Sequence, residues 1–361
     1  MPVTILTTRF GSLGPYIRAH NYHRLLSPHF PTELYDVSSQ PTRPVQAATQ
    51  IWRAMLTHTP HIWRFFYQHW QRIPTLDTFR RIISPPFFRR AARELAALHP
   101  QHILSTNVHT TTLASWWKLH GHLQAPIIVA LNAWHFQPSW CLPAVDHYLA
   151  CTPHQRDQLI AHGVPSTRIS IAGFLIAPGF HNHPPRQQSA TPNVLLMGGG
   201  EGWFLHRTIE ALHTMQTPAR FTILCGNDQS AQSIAAQIER IPQLRDRSTI
   251  LGYTHNPAPY FAAADLLITK PGAMTIAEAF ASSTPVLALH AVAGHGEAGP
   301  AILRAENAVA TPRAHESLTQ AIDRVLQSPA ELQRLAARGR ELIATPAATI
   351  IPEVIRQSIH A

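Results

Sequence analysis

Short apolar, β-branched runs alternate with helix-like stretches along the whole chain. "VTILTT" (3–8), "HILST" (102–106), "PIIVAL" (126–131), "HYLAC" (147–151) and "RISIAG" (168–173) form one series. This is the rhythm of parallel βαβ units. The segment "PGFHNHPPRQQSATP" (178–192) breaks it with four prolines and few apolar residues, as a linker does. A second series follows: "NVLLMGGG" (193–200), "RFTILCGN" (220–227), "STILGYT" (248–254), "DLLITKPG" (265–272) and "PVLALHA" (285–291). The pattern predicts an α/β protein with two doubly wound, Rossmann-like domains, 1–178 and 193–345, joined by a linker at 179–192. Residues 346–361 are expected to form a C-terminal helix packing back on the N-terminal domain. In such sheets ligands sit beyond the carboxyl ends of the strands. No internal repeat of solenoid length is present.

Composition agrees with two ordinary domains: 361 residues, 45 % hydrophobic and 14 % charged. Cys141, Cys151 and Cys225 form neither a C-x-x-C pair nor a spaced set, which argues against a zinc site or a disulfide framework and suits a reducing compartment. The N-terminal stretch lacks the pattern of a signal peptide, and no apolar run reaches spanning length. A cytoplasmic chain is expected. The net charge of +9 points to an acidic partner: nucleic acid, nucleotide phosphates or anionic lipid.

Chemistry gathers at the strand ends of the second series. In "LLITKPGAMTIAEAF" (266–280) a buried-strand pattern runs into Lys-Pro-Gly and then into a helix. Thr275 and Glu278 have the spacing of a capping box, so Glu278 either caps its own helix or, if the helix start holds a phosphate, accepts hydrogen bonds from ribose hydroxyls. "NVLLMGGGEGWFLHRTIEAL" is strand, glycine-rich loop and helix, and Gly198, Gly199, Gly200 and Gly202 let main-chain amides approach a phosphate. With Gly226 and Asn227 after another strand, three strand ends point to a nucleotide. There is no P-loop, no clean G-x-G-x-x-G, no G-x-S-x-G and no H-E-x-x-H. A nicotinamide enzyme needs an acid about 20 residues past the glycine loop, where Asp228 stands too far along.

The stretch "ILGYTHNPAPYFAAADLLITKPGAMTIAEAFASSTPVLALHAVAGHGEAGP" (250–300) resembles the donor half of monogalactosyldiacylglycerol synthases and diacylglycerol glucosyltransferases. These belong to glycosyltransferase family 28 and are related to the peptidoglycan lipid II synthase. The likeness runs from the glycine turn at 11–14 to about residue 345, and takes in "GGGEG" and the span 132–176. It implies a GT-B fold, two such domains facing across a cleft, with a UDP-sugar donor, inversion at the anomeric carbon and no obligatory metal or other cofactor. The chain itself has no D-x-D pair to hold a cation. The resemblance puts Glu278 on the ribose, Gly198–Gly200 on the diphosphate, and Lys270, Gly272, Met274 and Thr275 beside the phosphates. In "AGHGEAGP" (293–300), His295 and Glu297 would contact the hexose, although Gly296 takes the acid's place if the match is gapless.

Inverting transfer needs a base near the acceptor hydroxyl. The family's candidate positions read Pro15 (Tyr16 if the alignment slips by one), Asn132 and Gln137 here, and none of these is a useful proton acceptor. His135, His20 and His109 are the substitutes close by in sequence, among 24 histidines.

Residues 51–100 hold eight arginines against Asp77 and Glu94, six of the nine net charges, interleaved with Trp52, Trp63, Trp70, Phe65, Phe66, Phe87 and Phe88. Such a segment suits an anionic membrane interface. An arginine-faced core helix is the plainer reading, and nucleic acid is disfavoured for want of a binding motif. Together these readings give an enzyme that moves a hexose or N-acetylhexosamine from UDP to a diacylglycerol-like lipid on the inner face of the cell membrane, as a peripheral protein. The alternatives are a UDP-sugar-binding homologue with impaired catalysis and a transferase acting on a non-lipid acceptor.

Overall fold

A computed structural model describes residues 2–9, 14–39, 46, 47, 50, 51, 54, 59, 88–181, 183, 191–198, 204–289 and 298–360. The chain divides into two compact units, Met1–Leu175 with Thr345–Ala361, and Ile176–Ala344. The first division therefore falls before the expected 178. The reason is apolar burial: Pro178–Phe180 forms a 3-10 turn whose Phe180 ring stands edge-on to Phe261 at 5.2 Å. The carbonyl of Phe180 also accepts a hydrogen bond from the Ser282 hydroxyl, so the turn is built into the second unit.

The first unit runs β1 (Val3–Thr7), α1 (Gly14–Leu26), β2 (Thr32–Asp36), α2 (Arg89–Ala97), β3 (His102–Ser105), α3 (Val108–Leu119), β4 (Ile127–Ala130), β5 (His147–Ala150), α4 (Pro153–Ala161) and β6 (Ile169–Ile171). Its strands pair in parallel in the order β2-β1-β3-β4-β5-β6. Successive strand residues face opposite sides of the sheet. Val3, Ile5, Leu104 and Ile128 pack with Ala19, Tyr22 and Leu26 of α1 and with Ile351 and Ile355 of the C-terminal helix Ala347–His360. Leu6, Ile103, Ile127 and Val129 pack on the other side with Leu95, Leu113 and Trp117. Gly173 fixes the entry of the C-terminal helix: its φ is +75°, and a Cβ there would lie 2.7 Å from the Thr345 carbonyl.

The second unit runs β7 (Asn193–Met197), α5 (Leu205–Leu212), β8 (Arg220–Leu224), α6 (Asp228–Ile238), α7 (Pro242–Arg245), β9 (Ser248–Leu251), α8 (Ala258–Ala263), β10 (Leu266–Thr269), α9 (Ala273–Ala281), β11 (Val286–Ala288), α10 (Ala298–Ala305), α11 (Leu318–Leu326) and α12 (Pro329–Leu342). The parallel order is β11-β10-β7-β8-β9. Val194, Leu196, Ile223 and Ile268 meet Ile209, Ile234 and Ile322 on one face.

Helix α12 crosses α9 at Gly339, where a Cβ would lie 2.4 Å from the Phe280 ring. Phe280 is buried and cannot swing clear. Gly339→Ala is therefore expected to lower stability by about 1–3 kcal/mol, although alanine is the better helix former by about 1 kcal/mol. Urea unfolding checks this, and an unchanged midpoint would mean that the contact relaxes at no cost. Among the described residues no helix is long and apolar enough to cross a membrane.

Candidate active site

Both sheets have a point at which the chain's direction of winding reverses. In the second unit β7, β8 and β9 proceed to one side, and β10 and β11 lie on the other, so the reversal falls between β7 and β10. Ligands bind outside the carboxyl ends of strands at such a point. Met197 pairs with Thr269 on one side and with Leu224 on the other, so the turns after β10, β7 and β8 leave the sheet side by side.

Thr269 ties two of these turns together. Its side chain is buried, and its hydroxyl lies 2.9 Å from the Met197 carbonyl and 3.1 Å from that of Lys270, with its proton donated to either. A single polar residue ending an apolar strand was the signal that could have singled it out. Thr269→Val keeps the shape and removes the donor, and is expected to cost about 1 kcal/mol. Chemical denaturation reads this directly, and an unmoved midpoint would remove the bridge from the account.

After Thr269 the Gly272 N–H donates to the Lys270 carbonyl at 2.7 Å, closing a tight turn. Helix α9 then begins at Ala273 with Gly272 as its N-cap and no side-chain cap. This corrects the capping-box reading. The helix starts two residues before Thr275, so Glu278 sits in its second turn and cannot reach back to the cap. Its carboxyl has no hydrogen-bond or ion-pair partner among the described residues, and burial pushes it up to about 8. The first-turn amides of an uncapped helix point along its axis, here from the carboxyl edge of the sheet, carrying partial positive charge. Met274 and Thr275 in that first turn are half-buried.

At the end of β8, Gly226 has φ +79°, a conformation that glycine adopts without strain. Asn227 caps α6, its Oδ1 accepting from the Ser230 N–H at 2.8 Å. That oxygen is used within the protein. Gly198 is buried directly after β7. Gly199, Gly200, Gly202, His295 and Glu297 lie outside the described residues.

In the first unit the reversal falls between β1 and β3. His20 is on the helix after β1, His109 in the first turn of the helix after β3, and His135 in the loop after β4. His109 and His135 therefore lie at the carboxyl edge of the sheet, while His20 stands midway along α1, and the three differ in surroundings. His20 donates from Nδ1 to the Tyr16 carbonyl at 2.9 Å, which in the neutral ring leaves the lone pair on Nε2. His109 stands edge-on to Phe88, ring centres 5.2 Å apart. His135 is held below its ordinary pKa by burial, and its Nε2 lies 3.0 Å from Nε2 of Gln137. An amide nitrogen can only donate, so in this arrangement the lone pair of His135 is engaged.

The family's other positions are built into the protein. Pro15 is buried in the first turn of α1. Asn132 has φ +46°, accepts from the Tyr22 hydroxyl at 3.1 Å and donates to the Ala130 carbonyl at 3.0 Å. Gln155, not singled out in the sequence, holds the loop from below. It is fully buried, accepts from the Cys151 N–H at 2.7 Å and donates to the Ala133 and His135 carbonyls. Of the arginine-rich segment, residues 52, 53, 55–58 and 60–87 lie outside the described residues. In the described part α2 turns Ala91, Ala92 and Leu95 inward and Arg89, Arg90 and Arg93 outward, with Arg90 paired to Glu94. There the plainer core-helix reading applies.

Comparison with known proteins places this geometry in a class. Residues 200–328 match the family described as glycosyl transferases group 1. A processive diacylglycerol beta-glucosyltransferase from Bacillus pumilus is 20 % identical over 368 residues, 99 % of this chain and 95 % of the relative. Staphylococcal relatives of the same description match over 46 % of their length. Among solved structures, MurG of Acinetobacter baumannii aligns over 99 % of this chain and all of its own, with TM-score 0.62 and 14 % identity. Anabaena HepE, solved in complex with UDP-glucose, aligns over all of this chain and 99 % of its own, with TM-score 0.58 and 13 % identity. The fold is GT-B, and residues 200–328 carry the match to the glycosyl transferases group 1. Along its whole length the chain is similar to the Bacillus pumilus diacylglycerol glucosyltransferase, a relative of the kind that the sequence motifs imply.

Proposed function

We propose that this chain moves a hexose or N-acetylhexosamine from a UDP-sugar to a hydroxyl of a membrane-associated, diacylglycerol-like lipid, with inversion and no obligatory metal ion. The observation that carries this is the switch point of the second unit. There a buried hydroxyl binds the β7 and β10 turns together, beside a helix start with no side-chain cap and a carboxyl without a partner among the described residues. An uncapped helix start suits a diphosphate, and a lone half-buried carboxyl suits a pair of ribose hydroxyls.

In this reading main-chain amides of Gly198–Gly200, Gly202 and α9, with Lys270 and Thr275, hold the diphosphate, and Glu278 holds the ribose. His295 and Glu297 touch the hexose. The acceptor oxygen bonds to the anomeric carbon as the bond to the diphosphate oxygen breaks, and the electron pair leaves with UDP. Amide dipoles and Lys270 balance the charge that develops there. The acceptor proton goes to His20 Nε2, because His20 has its other nitrogen fixed on a carbonyl while the lone pair of His135 is taken by Gln137. Residues 51–100 meet the anionic membrane at its inner face. The relatives' printed activity supports the lipid acceptor, and the HepE complex supports the donor.

A second reading is favoured by the internal use of Asn132 and the burial of Pro15: a homologue that binds UDP-sugar and turns it over poorly. Incubation with labelled UDP-hexoses and diacylglycerol-containing vesicles separates the two. Labelled lipid upholds transfer, and UDP binding without product upholds the second reading.

A further inference from the structure

Helix α1 carries a cation with no counter-charge among the described residues. The Nε of Arg18 has no accessible surface and no hydrogen-bond partner, and the guanidinium makes no ion pair among the described residues. The residue as a whole is half-buried, and its terminal nitrogens are not among the enclosed atoms that lack a partner. Its electrostatic neighbours are the Tyr22 phenol and the Cys151 thiol, and burial raises both, the thiol to about 12, so both are neutral. No acid occurs within Gly14–Leu26. On the C-terminal helix that packs against α1, Glu353 is paired with Arg356 and Gln357. Arg9 offers a contrast: it lies 3.3 Å from Asp36 and over the Tyr16 ring.

Withdrawing a cation from water without a counter-charge is costly, and desolvation lowers the Arg18 pKa to about 10. A folded chain tolerates such a site where a ligand completes it. The location fits a ligand: Tyr22, one turn on, bonds Asn132 just past β4, and Cys151 directly follows β5, both at the carboxyl edge of the sheet. A guanidinium fork matches the paired oxygens of a phosphate or carboxylate.

We propose that Arg18 receives an oxyanion, phosphate or carboxylate, carried by the acceptor, so that the acceptor is anionic rather than a neutral diacylglycerol. This rests on the reading of the first unit as the acceptor unit. It departs from the acceptor printed for the Bacillus relative.

The test uses the full chain saturated with UDP, so that the donor site is filled, and follows its melting temperature with inorganic phosphate, methyl phosphate or acetate. The wild type is expected to be stabilised by at least one of these ions, and Arg18→Met is expected to lose that shift. Arg18→Lys, which keeps the charge without the fork, is expected to retain part of it. Without anion, Arg18→Met is expected to melt about 2–4 °C higher than the wild type, as removal of an unmatched cation predicts. A purely structural arginine gives the opposite result, a lower melting temperature in the variant. That outcome, an anion shift kept in the variant, or no shift with any ion in the wild type would each overturn the proposal.

Phosphatidylcholine vesicles with added phosphatidic acid, compared with vesicles carrying dioleoylglycerol, identify the source. Competition with the free ion by the former alone assigns a lipid phosphate, and stabilisation by the free ion without competition assigns a water-soluble acceptor. The UDP-induced shift, read in both proteins, tests the donor reading separately.

Discussion

Glu278→Ala is expected to weaken UDP binding by roughly 2–4 kcal/mol, from the loss of charge-assisted hydrogen bonds to ribose. Calorimetric titration of the wild type and the folded variant measures this, and equal affinities would take Glu278 out of the donor site. Because α9 begins at Ala273, a capping role is not available to absorb the effect. The raised pKa adds a pH dependence. Between the ordinary carboxyl value and about 8 the free folded protein keeps a proton on Glu278 that the unfolded chain releases. Stability from this group is therefore full at low pH and is lost as pH rises through 8. Ribose hydroxyls donate to the ionised form, so UDP binding expels the proton. Affinity should rise by up to about tenfold per pH unit below 8 and level off above it. Glu278→Gln removes the proton and should flatten that slope, leaving only the titration of UDP itself.

His20→Ala is expected to lower kcat by about 10²–10⁴-fold while UDP affinity stays unchanged, the signature of a lost general base. His135→Ala should cost less than about tenfold, since its lone pair is directed at Gln137. Transfer to vesicle-borne lipid under saturating donor compares them. A large loss at His135 with little at His20 would reverse the assignment.

The strands that carry the sites were legible because their apolar runs are continuous: β1, β3, β4, β7 and β10 are buried or nearly so throughout. Edge strand β2, "TELYD", was not read, because it is half-exposed and has neither an apolar run nor clean alternation. Its partner β1 and its place at the sheet edge decide its conformation. The capping box failed for a related reason. Spacing alone fits a helix starting at Thr275, but the turn closed by Gly272 and Lys270 lets the helix begin earlier.

Amide-rich positions were the least legible. Asn132, Asn227 and Gln155 look interchangeable in sequence, yet one occupies a left-handed position tied to Tyr22, one caps a helix and one supports a loop from within the core. Such roles depend on residues far along the chain, 110 positions away for Tyr22 and Asn132, and no local pattern encodes them. Arg18 belongs here too. An arginine on a helix near the surface reads as solvated, and only packing shows that its Nε is enclosed without a partner.

The central claim is that one switch point, the turns after β7 and β10, holds the diphosphate. Hydrogen exchange of the full chain, followed across a UDP titration in the presence of a chelator, tests it most directly. The account predicts protection of residues 198–202 and 270–278 together, with a single midpoint, and loss of both in Glu278→Ala. Protection confined to one of the two turns, or none at millimolar UDP, would contradict it.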